Sequence, residues 1–116
     1  MWLQLPYGFY SVVSVRDQIT GELDPAQLLV RGRAKDHMES LRERFPSLKT
    51  YVLRQTPNAD YHWRMQIPKA TWTEIIAKMS EQIMWDNFKT EAHRVAPGKY
   101  VACLHSVWSI FQRLQE

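Results

Sequence analysis

The chain has 116 residues, enough for one domain with a real but small hydrophobic core. Apolar residues at 45% and charged residues at 23% are the mix of a globular protein, and a lone cysteine, Cys103, excludes an intramolecular disulfide. The net charge of +3 permits an acidic partner but falls well short of the charge density of a DNA-coating protein.

Met1–Pro6 is too short and too polar for a signal peptide, and no stretch approaches the ~20 apolar residues of a membrane span. The expectation is a cytoplasmic, complete protein that starts at its natural methionine. Residues Tyr7–Arg16 (YGFYSVVSVR) are β-branched and aromatic and favour a strand. Gly21, Asp24 and Pro25 make Asp17–Pro25 a turn or short loop. Leu28–Ala34 is a second strand, with Val30, Gly32 and Ala34 on one side and Leu29, Arg31 and Arg33 on the other.

Asp36 and Glu39 have capping-box spacing, and Met38, Leu41 and Phe45 follow at helical intervals until Pro46 stops them. Lys49–Gln55 is expected as strand three, and Thr56–Ala59 as a turn. Asp60–Ile67 is strand four, with Tyr61, Trp63, Met65 and Ile67 facing one way and His62, Arg64 and Gln66 the other. Thr71 and Glu74 repeat the capping-box spacing. Trp72, Ile75, Ile76, Met79 and Ile83 then form an apolar helical stripe.

Asp86 and Asn87 in WDNFK are weak helix formers and should break that helix, with a further helical turn over Thr90–Val95. After Pro97–Gly98, a final helix over Tyr100–Leu114 aligns Tyr100, Leu104, Val107, Phe111 and Leu114, with Trp108 beside them. The order ββα–ββα–α predicts a single α+β domain over residues 1–116. Its core would be a four-stranded antiparallel sheet with two helices on one face, a permuted ferredoxin-like arrangement, plus the C-terminal helix. By that analogy the second and fourth strands are central neighbours.

Charge is distributed unevenly over these elements. Five of nine arginines fall in predicted strands, namely Arg16, Arg31, Arg33, Arg54 and Arg64, with almost no acid near them. Alternation would place them on one sheet face with His62 and Gln66, opposite the apolar face. Like charges on adjacent strands repel, so such a cluster calls for compensation. Guanidinium forks suit phosphate and carboxylate, and Tyr10, expected on the face of Arg16, adds a stacking surface for single-stranded nucleic acid. The competing reading is a solvated face with its arginine heads paired to acids, or a face covered by the last helix.

A second reading makes Tyr100, Trp108 and Phe111 a protein–protein interface, for example in a homodimer or an inhibitor of another complex. A third assembles Asp60, Asp86, Asn87 and Lys89 into a small hydrolase or Mg²⁺ site. Helix capping is the favoured role for these residues. His37, His62, His93 and His105 show no metal-ligand spacing, and on a helix Cys103 and His105 would point about 200° apart. No nucleophile elbow, glycine-rich phosphate loop or dinucleotide fingerprint is present, so neither catalysis nor a cofactor is expected.

The early GFYSVV, the later DYHWR with its following proline, the helix bearing Trp72 and then DNFK resemble a group of small bacterial proteins of about this length. The likeness covers nearly the whole chain, with Trp85 standing where a smaller aromatic is expected. It implies a bacterial or phage origin and no established activity.

Overall fold

The computed structural model of the protein describes residues 1–116. Its strands are β1 (Trp2–Leu5), β2 (Gly8–Arg16), β3 (Leu23–Gly32), β4 (Arg54–Gln55) and β5 (Trp63–Pro68). Its helices are α1 (Lys35–Arg44), α2 (Lys69–Glu81), α3 (Phe88–Val95) and α4 (Lys99–Phe111). The strands form one antiparallel sheet in the spatial order β1-β2-β3-β5-β4.

The sheet therefore has five strands where the sequence predicts four. The addition is β1, which folds back on β2 with Trp2 opposite Ser11 and Leu5 opposite Gly8. Only Leu3 and Leu5 alternate there, too short a run to register as a period. The strand expected over Lys49–Gln55 begins inside a 3₁₀ turn, Pro46–Thr50, that Pro46 opens and that turns Leu48 into the core, and it runs on through irregular residues 51–53. Only Arg54 and Gln55 pair with β5.

Neither expected capping box forms. α1 begins at Lys35 after Ala34, and Asp36 Oδ1 accepts from the His37 N–H beside it. Glu39 instead pairs one turn on with Arg42 at 3.7 Å. α2 begins at Lys69 after Pro68, which places Thr71 inside the first turn. In both cases the preceding strand runs almost directly into the helix, so the chain enters earlier than the polar pattern implies.

One sheet face carries the main core. Tyr10, Val12, Val30, Met65 and Ile67 from the strands pack against Met38, Leu41 and Phe45 of α1 and its C-cap and Trp72, Ile75 and Met79 of α2. Ile83, expected to extend that stripe, lies past the end of α2 and is exposed. α3 and α4 form a separate small cluster, with Ala92, Val101 and Leu104 buried and Phe88 and Tyr100 against them. Gly98, at φ 110°, turns the chain between these helices in a conformation that a side chain would strain. The radius of gyration is 15.3 Å, above the about 13 Å of a compact chain this long.

The two clusters are joined through His37. Its Nδ1 accepts from the Phe9 N–H at 3.2 Å, and its ring meets Tyr100 edge-on at 4.7 Å. Its carbonyl accepts from the Tyr10 hydroxyl. Burial holds the imidazole below its ordinary pKa of 6.5, against smaller opposing effects of Asp36 and the Phe9 hydrogen bond. The unfolded chain thus binds this proton at higher pH than the folded one does. Stability from His37 is complete above the unfolded pKa and falls as pH drops below about 6.5. Melting temperature should therefore decrease from neutral pH toward mild acid. In His37→Asn, whose side-chain oxygen can still accept from Phe9, that slope should flatten.

Candidate anion-binding face

The opposite sheet face carries the arginines. Pairing across strands places Trp2, Ser11, Arg31, Arg64 and Arg54 in one transverse row, each opposite the next. Arg31 thus faces Arg64 directly, and Arg64 faces Arg54. Cross-strand like charges in such positions destabilise a sheet. Arg33, just past the end of β3, adds a fourth guanidinium.

Compensation is sparse. Among these four, only Arg64 has a carboxylate partner, Asp60, at 3.4 Å, and Asp60 is itself exposed. Arg33 Nη1 donates to the Asp60 carbonyl at 2.8 Å, and Arg64 Nε to the Tyr61 carbonyl at 3.4 Å. Arg31 Nη2 donates to the Ser11 hydroxyl at 2.7 Å, while its Nε is shielded with no partner. These neutral acceptors orient the guanidinium groups and leave their charge in place. Arg54 is exposed at the sheet edge.

An aromatic strip runs beside the row. Trp2 and Phe9 meet edge-on at 6.0 Å, and Phe9 lies over Tyr61 at 6.5 Å. The guanidinium carbons of Arg31 and Arg33 lie 4.6 and 4.5 Å from the centre of the Tyr61 ring. Cations over a ring are held by its quadrupole, so a buried Tyr61 offsets part of the repulsion.

Tyr61 was expected on the core side with Trp63 and Met65, and this is corrected. Residues 60–62 form a bend, β5 starts only at Trp63, and the alternation cannot be extended back across the bend. Tyr10 is likewise not on this face: it is fully buried in the core. Arg16 has the parity of Tyr10 and Val12, so alternation along β2 puts it on the core side as well, opposite the side of Ser11. Arg16 leaves the cluster too. It lies at the far end of β2, opposite Leu23, and donates to the Gly21 carbonyl across its own turn. His62 is exposed in the bend, next to the cluster but outside the strand.

No helix rests on the arginine face. α1 and α2 pack on the other side. α4 packs on α3 and reaches the sheet at the β1 end, where the Tyr100 hydroxyl donates to the Leu5 carbonyl at 2.7 Å. Tyr100 is therefore an internal anchor rather than an interface residue, and burial raises its pKa above the tyrosine range. Trp108 and Phe111 do project outward, about half exposed, with Ile110 and Leu114 still more open. Lys89 sits over the Trp108 ring at 3.7 Å.

Of the acid–base candidates, Asn87 and Asp60 serve local structure, and Asp86 makes no ion pair. Asn87 caps α3, its Oδ1 accepting from the Thr90 N–H at 3.0 Å. Asp60 Oδ1 takes the Tyr61 N–H and Arg64. No three His, Cys, Asp or Glu side chains are gathered in metal-binding geometry, and no helix is long and apolar enough to cross a membrane. Comparison of the chain with protein-family models, with curated proteins and with solved structures finds no match.

Proposed function

We propose that the protein is a non-catalytic binding module whose arginine face contacts an anionic macromolecule, nucleic acid or an acidic protein surface. The observation that carries this reading is the transverse run Arg31–Arg64–Arg54, with one carboxylate among its side chains. An uncovered sheet face gains nothing for folding by opposing like charges on neighbouring strands. A polyanion supplies the missing counter-charge through paired hydrogen bonds. The strand order, with β3 and β5 adjacent and α1 and α2 on one side, supports a permuted ferredoxin-like core bearing β1 as an added edge.

The test is polyanion binding measured over a range of salt concentrations. Neutralising phosphates releases counterions, so affinity should fall linearly on a log–log plot against salt. Absence of binding at low salt to both an oligonucleotide and polyglutamate would remove the proposal.

A second reading makes the chain a homodimer through the outer half of α4. Exposed Trp108, Ile110 and Phe111 on α4, with Leu114 in the 3₁₀ turn Gln112–Gln115 that follows it, favour it. Light scattering should then return twice the chain mass, and Phe111→Asp should return the monomer. A wild-type monomer at high concentration would end this second reading and leave the first intact.

A further inference from the structure

We infer that the anionic partner is a single strand of nucleic acid, laid across the sheet from β4 toward β1 with an unstacked base on Trp2. The inference rests on the arginine face being the binding surface and adds the class of ligand and a recognition residue. Trp2 belongs to a strand that the sequence does not announce. It lies on the same transverse row as Arg31, Arg64 and Arg54 and is 70% exposed. Edge-strand tryptophans can cover a core; this one lies on the other face, and its aromatic contact is a T-shaped one with Phe9.

Chemistry and spacing agree on the occupant. Neighbouring strands are about 4.8 Å apart, so the row runs about 10 Å from Arg31 to Arg54 on β4 on one side and about 10 Å to Trp2 on β1 on the other. A polyanion following it meets guanidinium groups on one half and an open indole face on the other. A duplex keeps its bases stacked on one another and can use only the charged half. An acidic peptide has carboxylates for the arginines and no π-face for the indole. A single strand offers phosphates and free bases together, and base–aromatic stacking is the recurrent sequence-tolerant device of such surfaces. Gln4 and Gln66, on the same face, add neutral donors and acceptors without introducing a negative charge.

The experiment uses the full chain and fluorescein-labelled probes of about 12 nucleotides, within the usual site size of small single-strand binders. The probes are oligothymidylate, oligouridylate and a duplex of equal length, with polyglutamate as the peptide comparison. The single strands should bind more tightly than the duplex or polyglutamate. Trp2→Ala should weaken single-strand binding roughly tenfold while leaving the salt slope and the other two probes unchanged. Trp2→Phe, which keeps a ring, should restore most of the affinity. It should also remove the tryptophan quenching that the wild type shows on binding, so the result does not depend on the alanine variant folding.

Tighter binding of uridylate would point to RNA, and tighter binding of thymidylate to DNA; both support the inference. Equal or tighter binding of duplex or polyglutamate, with Trp2→Ala neutral, overturns it and leaves the arginine face standing. Binding unaffected by Arg31→Ala/Arg64→Ala overturns both.

Discussion

The double variant Arg31→Ala/Arg64→Ala is expected to lose oligonucleotide binding on the order of a hundredfold at low salt. That figure takes about 1.4 kcal/mol per charged contact, near the lower end for hydrogen bonds to ionised groups. The slope of log affinity against log salt should shrink by about 1.4 for a single strand, since each neutralised phosphate contributes about 0.7. The two arginines are direct cross-strand neighbours, so their effects should not add simply; each single variant also relieves the other's repulsion.

The same substitutions should barely change folding. They remove the hydrogen bonds to Ser11 and to the Tyr61 carbonyl, the guanidinium over the Tyr61 ring and the pair with Asp60, and they also remove a repulsive pair. Most of these are worth about 1 kcal/mol or less, the charged bond to Ser11 about 1.5, and relief of the repulsion opposes them. Unchanged urea denaturation with lost binding is thus the expected signature. Unchanged binding at low salt would show that the arginine row has no ligand.

The largest effect on stability should come from Trp72. It is 4% exposed on the first turns of α2 and packs into the main core. Trp72→Ala should cost about 3–5 kcal/mol through lost burial and the cavity left behind. Total stability of a domain this size is on the order of 5–15 kcal/mol, so the variant should lose a large share of its margin and unfold at much lower urea concentration. Trp72→Phe separates ring from polar group. The indole Nε1 is buried with no hydrogen-bond partner, so losing it removes a desolvation cost. The phenylalanine variant should lose well under half as much as the alanine variant in urea denaturation. Equal losses would mean that ring volume beyond phenyl, rather than packing of the core in general, sets the stability.

Much of the scaffold was legible because burial imposes a period. Met38, Leu41 and Phe45, and Trp72, Ile75 and Met79, recur at helical spacing and do bury against the sheet. In β3 and β5, strict alternation placed Val30 and Met65 inside and Arg31 and Arg64 outside, and both strands keep that register. The opposition of two arginines across neighbouring strands was therefore within reach of the sequence together with a guess at strand order.

Period-based reasoning failed where the period does not say which face is buried, is interrupted or is too short. The face of β2 was assigned the wrong way round, because Tyr10 and Val12 turn into the core and take the parity of Arg16 with them, and the bend at residues 60–62 turns Tyr61 under the arginines. Both are local choices of side-chain direction that leave composition unchanged. β1 is only four residues long, so Trp2 could be recognised as part of the face only once β2 had paired with it.

The amino-acid order alone determined an α+β chain with one apolar and one arginine-bearing sheet surface, because side-chain direction along a strand follows from backbone geometry. Only tertiary structure decided whether that second surface stays open. That depended on where α4 found a place for its buried half, and Val101, Leu104 and Tyr100 found it against α3 and the β1 edge. The energy that directs such docking comes from contacts between segments some 95 residues apart, as between Tyr100 and Leu5, which no local pattern encodes.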